Sequence, residues 1–170
     1  MSLLNKHTKS QKADMVITVA ARASDLSRVQ VREVLEELHL HHPQVAFKMT
    51  CLMTTGDLDQ KSSLRGLDKT DFFTAEVDQL QLGGKCRVSV HSLKDLPENL
   101  ADGLAIAAIT KCIDSSDALV LRENQKLMDL SVESVIATSS QRREEAVKLL
   151  IPHAKFTDLR GDINKRLSLL

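Results

Sequence analysis

Short apolar runs that stop at a basic polar loop and hand over to an amphipathic segment recur along this chain, and that alternation constrains its fold more than any other feature. Residues 15–21 form the first run, rich in β-branched side chains and continuous enough for a strand buried on both faces. The run breaks at Arg22-Ala23-Ser24-Asp25. Val31, Val34, Leu35 and Leu38 then fall at i, i+3, i+4 and i+7, the spacing of an amphipathic helix, which a His-rich turn and Pro43 bring to an end. Val45, Phe47, Met49, Cys51 and Met53 alternate with Ala46, Lys48, Thr50 and Leu52, which predicts a second strand. Thr54-Thr55-Gly56-Asp57 opens a long polar loop reaching to about residue 70, a length at which loops in compact domains are often functional. A helix is expected over residues 71–82, burying Phe73, Val77 and Leu80 and stopped by Gly83-Gly84. Further strands are predicted at residues 87–91, 104–109, 117–121, 134–138 and 155–159. Helices are predicted at residues 141–150, with Ala146, Val147 and Leu150 inward, and from residue 162 onward. Strand alternating with helix defines an α/β class with mixed, largely parallel sheets.

The 170 residues suffice for one sizeable core or two small lobes. With four Phe and neither Trp nor Tyr, the core has to be aliphatic, and stacking platforms for single-stranded nucleic acid are nearly absent. The 23 basic residues cancel the 23 acidic ones, which argues against a non-specific nucleic-acid or membrane-surface binder. Locally the balance tips: residues 138–170 hold seven Lys and Arg against four Asp and Glu. Cys51, Cys86 and Cys112 are odd in number, widely spaced and without CxxC pairing, as in a reducing compartment. The chain shows neither an apolar run long enough to span a membrane nor a secretory signal. Residues 1–14 read as a loose tail, and a cytoplasmic monomer is expected.

The strand ends carry the candidate chemistry. In His91-Ser92-Leu93-Lys94-Asp95-Leu96-Pro97 an apolar run ends in a cation beside a carboxylate, where open α/β sheets bind ligands. Such a pair can orient an anionic substrate while the carboxylate manages charge or protons; a solvated turn stopped by proline is the plainer alternative. In Thr138-Ser139-Ser140-Gln141-Arg142-Arg143 either Ser139 or Ser140 can cap a helix. Capping does not account for Arg142 and Arg143, because cations at a helix N-terminus oppose its dipole at about 0.3–1 kcal/mol each. They suit a carboxylate or phosphate instead. Arg160-Gly161-Asp162 repeats the arrangement, with Asp162 as cap and Arg166 one turn on, and Arg22 after the first strand is a third instance. Strand ends tipped with arginine, together with Lys94, point to a ligand bearing several negative groups. His39, His41 and His42 lie in a helix's last turn, where they complement the dipole, and no metal site is expected there. No P-loop or GxGxxG is present, so no nucleotide is expected.

Six segments taken together resemble the porphobilinogen deaminase (hydroxymethylbilane synthase) family. They are Ala21-Arg22-Ala23-Ser24-Asp25-Leu26, Thr54-Thr55-Gly56-Asp57, Phe73-Thr74-Ala75-Glu76, Val90 through Pro97, Thr138 through Arg143, and Arg160 through Leu167. They follow in the family's order and near its spacing, from about residue 15 to residue 170. The resemblance implies a two-lobed architecture like that of type II periplasmic binding proteins. Residues 15–110 would be a first domain carrying the catalytic Asp loop and 111–170 a truncated second, with the boundary near residues 110–116 and one cleft between the lobes. It implies head-to-tail polymerisation of porphobilinogen with loss of ammonia, in tetrapyrrole and haem biosynthesis, on a dipyrromethane primer. Asp95 would be the catalytic carboxylate. Arg22, Lys94, Arg142, Arg143, Arg160 and Arg166 would hold acetate and propionate groups, assisted by Ser24, Ser139 and Ser140, with Phe73 on a loop over the cleft. Departures from the family pattern are Lys69 with Thr70 in the place of the usual lysine, Ala75 for a second lysine, Gln141 for leucine, and Asp162 for asparagine. The family's third domain, with its primer-bearing cysteine in a Gly-Gly-Cys context, has no counterpart here. Gly83-Gly84-Lys85-Cys86 reads as a helix stop. Two other readings stay open on sequence: a non-catalytic two-lobed clamp for a polycarboxylate or tetrapyrrole, and an inactive truncated copy.

Overall fold

A computed structural model describes residues 15–59, 62 and 70–170. The expected tail, residues 1–14, and Lys69 lie outside the described residues. Three parallel strands form the main sheet in the order β2-β1-β3, with β1 at Met15–Arg22, β2 at Val45–Leu52 and β3 at Val88–Ser89. Met15 pairs with Val45 and Arg22 with Leu52 at the two ends of the longer ladder, while Val19 and Ala20 pair with Val88 and Ser89. Parallel neighbours need a crossover, and helices supply it. α1 (Asp25–His41) links β1 to β2; α2 (Thr55–Leu58) and α3 (Ala75–Leu82) lie between β2 and β3.

The two-residue period of β1 sends alternate side chains to opposite faces. Val19 and Ala21 pack with Val31 and Leu35 of α1, whereas Ala20 packs with Val77 and Leu80 of α3 and with Cys86. The second half of β1 is thus covered on both faces, as its sequence predicts, while Met15 and Val16 at its start are exposed. Ser24 caps α1 by accepting the Ser27 N–H at 3.4 Å. α3 stops at Gly83-Gly84: Gly84 takes a φ of 71°, and the Lys85 and Cys86 N–H groups turn back to Leu80 O. Downstream, β4 (Val135–Ala137) and β5 (Lys155–Thr157) form a parallel pair, with α4 (Gln141–Leu150) between them and α5 (Ile163–Leu167) after.

Several expectations are corrected. Residues 104–109 and 117–121 form no strand, and Ile106, Ile109 and Val120 are exposed. β-propensity describes fitness for a pleated, half-buried surface, and without a neighbouring ladder it produces no strand. α4 has the expected bounds, but Glu144 is its buried residue, Val147 is half-buried, and Ala146 and Leu150 are exposed. A two-stranded sheet of three-residue strands gives the apolar stripe of α4 too little surface to cover. The helix expected from residue 71 starts at Ala75, after a turn in which the Thr74 and Ala75 N–H groups bond Asp71 O. Thr54-Thr55-Gly56-Asp57 begins a short helix rather than a loop, because Asp57 reaches back to cap it.

Candidate active site

The C-terminal ends of β1, β2 and β3 converge. Arg22 is the last residue of β1, α2 follows β2, and a single 3-10 turn at Leu93–Asp95 follows β3. Arg22 holds two carboxylates at once. Its Nη2 donates to Asp57 Oδ1 at 2.5 Å and its Nε to Asp57 Oδ2 at 3.4 Å, while Nη1 donates to Asp95 Oδ2 at 3.0 Å. The guanidinium also lies 4.5 Å from the centroid of the Phe73 ring, which stacks it as a cation on a π face. Burial pushes the Asp57 carboxyl up, but bonds from Arg22 and Thr54 outweigh it and hold the group below the usual carboxylate value. Ser92 Oγ donates to Gln30 Oε1 at 2.8 Å, tying the Asp95 segment to α1. Ser24 is occupied in capping α1, and Lys94 is exposed and enters none of these contacts.

A second cluster forms at the ends of β4 and β5. Ser139 Oγ donates to Leu159 O at 3.0 Å and accepts the Leu159 N–H at 2.9 Å, stitching the two strand ends together. Ser140 is the N-terminal cap residue of α4 but makes no capping bond with its side chain. Arg143 Nε and Arg142 Nη2 reach the Asp117 carboxylate at 2.8 and 3.4 Å. Arg166 Nε donates to Gly161 O at 2.7 Å. Burial, then the charges of Arg143 and Arg160, push Arg166 below its ordinary value, against the opposing charge of Asp162. Arg160 crosses between the clusters: Nη2 donates to Asp59 O at 2.5 Å and Nη1 to Ser62 O at 2.7 Å.

Arg22, Phe73 and Asp95 therefore come together at one set of strand ends, and Ser139, Ser140, Arg142, Arg143, Arg160 and Arg166 at the other. The sequence reading overlooked the acids that hold these arginines. Asp57 was detectable, since Thr54 and Asp57 have the spacing of a helix cap. Asp117, 25 residues from Arg142, left no local signal. Among the described residues no three His, Cys, Asp or Glu side chains gather as a metal site. The donor set of the second cluster suits organic carboxylates, which bind guanidinium groups in paired hydrogen bonds.

The profile of the family described as "Porphobilinogen deaminase, dipyromethane cofactor binding domain" matches residues 17–170. A probable porphobilinogen deaminase of Chlamydia trachomatis is 40% identical over 154 residues, covering 91% of this chain and 63% of its own length. A porphobilinogen deaminase of Prochlorococcus marinus strain NATL2A is 41% identical over 157 residues, 91% of this chain and 50% of the relative. One from Clostridioides difficile is 37% identical over 154 residues, 90% and 51%. The chain spans about half to three-fifths of the length of these curated relatives.

Proposed function

This chain belongs to the porphobilinogen deaminase family, and from that membership we propose that it carries the substrate cleft of an enzyme joining porphobilinogen units head to tail with release of ammonia, giving hydroxymethylbilane. The observation that carries the proposal is the Asp95 carboxylate, held 3.0 Å from Arg22 Nη1 at the C-terminal ends of the sheet. In the reaction the aminomethyl group reacts as its ammonium form: the C–N bond breaks with its electron pair leaving on nitrogen, and ammonia departs. The remaining cation spreads over the pyrrole ring. A fixed carboxylate stabilises that cation by accepting a hydrogen bond from the pyrrole N–H, and can take the proton released after the new C–C bond forms, a task suited to Asp95 in a partly desolvated, pre-oriented position. The new C–C bond forms when a pyrrole α-carbon of the growing chain attacks the cation and then loses its proton.

Dipyrromethane is the cofactor named by the matching family profile. The guanidinium groups of Arg142, Arg143, Arg160 and Arg166, gathered at the ends of β4 and β5, fit its carboxylates, which take paired hydrogen bonds from guanidinium groups. When bound, dipyrromethane supplies the nucleophilic pyrrole from which the chain grows. Its covalent attachment is assigned to none of the three cysteines. Cys86 is packed against Ala20 and Val77, Cys51 borders the core around Val19, and Cys112 donates from Sγ to the Asp114 carbonyl. Residues 15–110 are taken as the unit bearing Asp95 and 111–170 as the unit bearing the arginine cluster. Among the described residues no helix is long and apolar enough to cross a membrane.

Incubation of the chain with porphobilinogen, with ammonia and acid-oxidised uroporphyrin as readouts, tests the proposal. Asp95→Ala is expected to lower turnover by about a hundredfold or more, the scale of losing a transition-state electrostatic partner. A folded wild-type chain without product, or an Asp95→Ala variant of unchanged rate, would overturn it.

A further inference from the structure

Asp57 has no role in the chemistry above, yet it is the more buried of the two acids on Arg22, at 9% side-chain exposure against 19% for Asp95. Both of its oxygens are engaged. Oδ1 takes Arg22 Nη2–H, and Oδ2 takes Arg22 Nε–H together with the Thr54 N–H at 3.0 Å and the Thr54 Oγ–H at 2.9 Å. Thr54 is itself fully buried. The turn it caps is fixed further by the Gly56 N–H, which donates to Phe72 O at 3.0 Å. A Cβ at Gly56 would stand 2.3 Å from the Phe73 ring, so the ring that stacks on Arg22 lies directly against the α2 backbone.

Charge balance does not explain this arrangement. Asp95 alone would neutralise Arg22, and a second carboxylate leaves the three-residue group with one negative charge in excess. What Asp57 adds is geometry. It occupies two of the three guanidinium nitrogens and leaves Nη1 to face Asp95.

We infer that Asp57 is a positioning residue: acting through Arg22, it fixes Nη1 as the single nitrogen shared between Asp95 and an incoming ligand carboxylate, so that capture of the ligand by Arg22 and release of the Asp95 carboxylate are one event. The catalytic consequence rests on the proposed function; the positioning does not. It is tested with the full chain and Asp57→Asn, which keeps an acceptor for the Thr54 N–H and removes the charge that aims Arg22. The first readout is the side-chain Nε–H resonance of Arg22 in 15N-labelled protein, assigned by its loss in Arg22→Lys. The resonance is expected to be shifted and protected from exchange in the wild type, and broadened or at the position of a solvated arginine in Asp57→Asn. The second readout is turnover of porphobilinogen, with kcat expected to fall tenfold or more while KM stays within threefold. An Arg22 resonance unchanged in a folded Asp57→Asn variant overturns the inference, as does a KM rise with kcat intact. If Asp57→Asn does not fold, Asp57→Glu replaces it, keeping the charge while one extra methylene displaces the carboxylate from Arg22 Nε and Nη2. A shifted Arg22 resonance then supports the inference and an unshifted one overturns it. A wild-type chain that turns nothing over sinks the proposed function, and the resonance alone decides the role of Asp57.

Discussion

His91 stands four residues before Asp95 in the same motif, with its Nε2 3.1 Å from Asp78 Oδ1 and both side chains 8% exposed. Nε2 is thus a buried nitrogen whose close neighbour is a carboxylate. The charged groups facing it are Asp78 on α3, Asp95 on the 3-10 turn and Arg22 at the end of β1. Burial dominates and holds His91 below its ordinary value of 6.5, against the pull of the two carboxylates. The unfolded chain therefore takes up this proton first as pH falls. Stability from a neutral His91 is present above about pH 6.5 and is lost as pH drops below that, down through the lowered folded value. The loss reaches at most about 1.4 kcal/mol per pH unit where the unfolded state is protonated and the folded state is not. Denaturant unfolding of His91→Gln from pH 7 to pH 5 is expected to show a shallower decline than the wild type; parallel curves would contradict it. Asp57 follows the same logic lower down the scale, since it is held below its ordinary value of 3.8 and its contribution disappears as pH falls through that region.

Among the elements, α2 has the tightest tolerance for its size. It is four residues long and too short to stand on its own hydrogen bonds, so its place depends on the Asp57 cap and on Gly56 meeting Phe73. Gly56→Ala puts a methyl 2.3 Å from ring carbons and 2.9 Å from Phe72 O. The expected cost is about 1–3 kcal/mol, the range for overpacking, seen as a lower unfolding midpoint, with Arg22 losing its stacked ring. A midpoint matching the wild type would show that Phe73 yields freely. The longer elements were legible in the sequence because their signals are periodic and local: β1, α1, β2 and α4 carry apolar spacing that one stretch of chain displays by itself. Residues 104–109 and 117–121 are short apolar runs of the kind that reads as a buried strand, yet strands are defined by partners, and pairing leaves no mark on the strand's own sequence. The site divides the same way. Arg22, Asp95, Arg142, Arg143, Arg160 and Arg166 stood out because each tips a predicted element. Their partners Asp57 and Asp117, 35 and 26 residues away from Arg22 and Arg143, are brought in by the fold.

Across the whole molecule, order is unevenly distributed. The buried clusters gather on β1, α1 and α3, whereas residues 105–120 are exposed throughout and contribute nothing to either cluster. Backbone amides there lack both a ladder and a covering layer, and such regions open at little free-energy cost. Hydrogen exchange followed by mass spectrometry is expected to label peptides from residues 105–120 within seconds, while β1 stays protected for far longer; equal protection would mean that the segment is covered in solution. Between the two strand-end clusters runs the side chain of Arg160, whose guanidinium grips the carbonyls of Asp59 and Ser62 across about a hundred positions of sequence. That grip makes the clusters thermodynamic neighbours. An anion that recruits Arg160 frees two carbonyls just beyond α2, and whatever then binds those carbonyls strengthens the anion's hold by the same factor. One arginine thus couples the two clusters, in both directions at once.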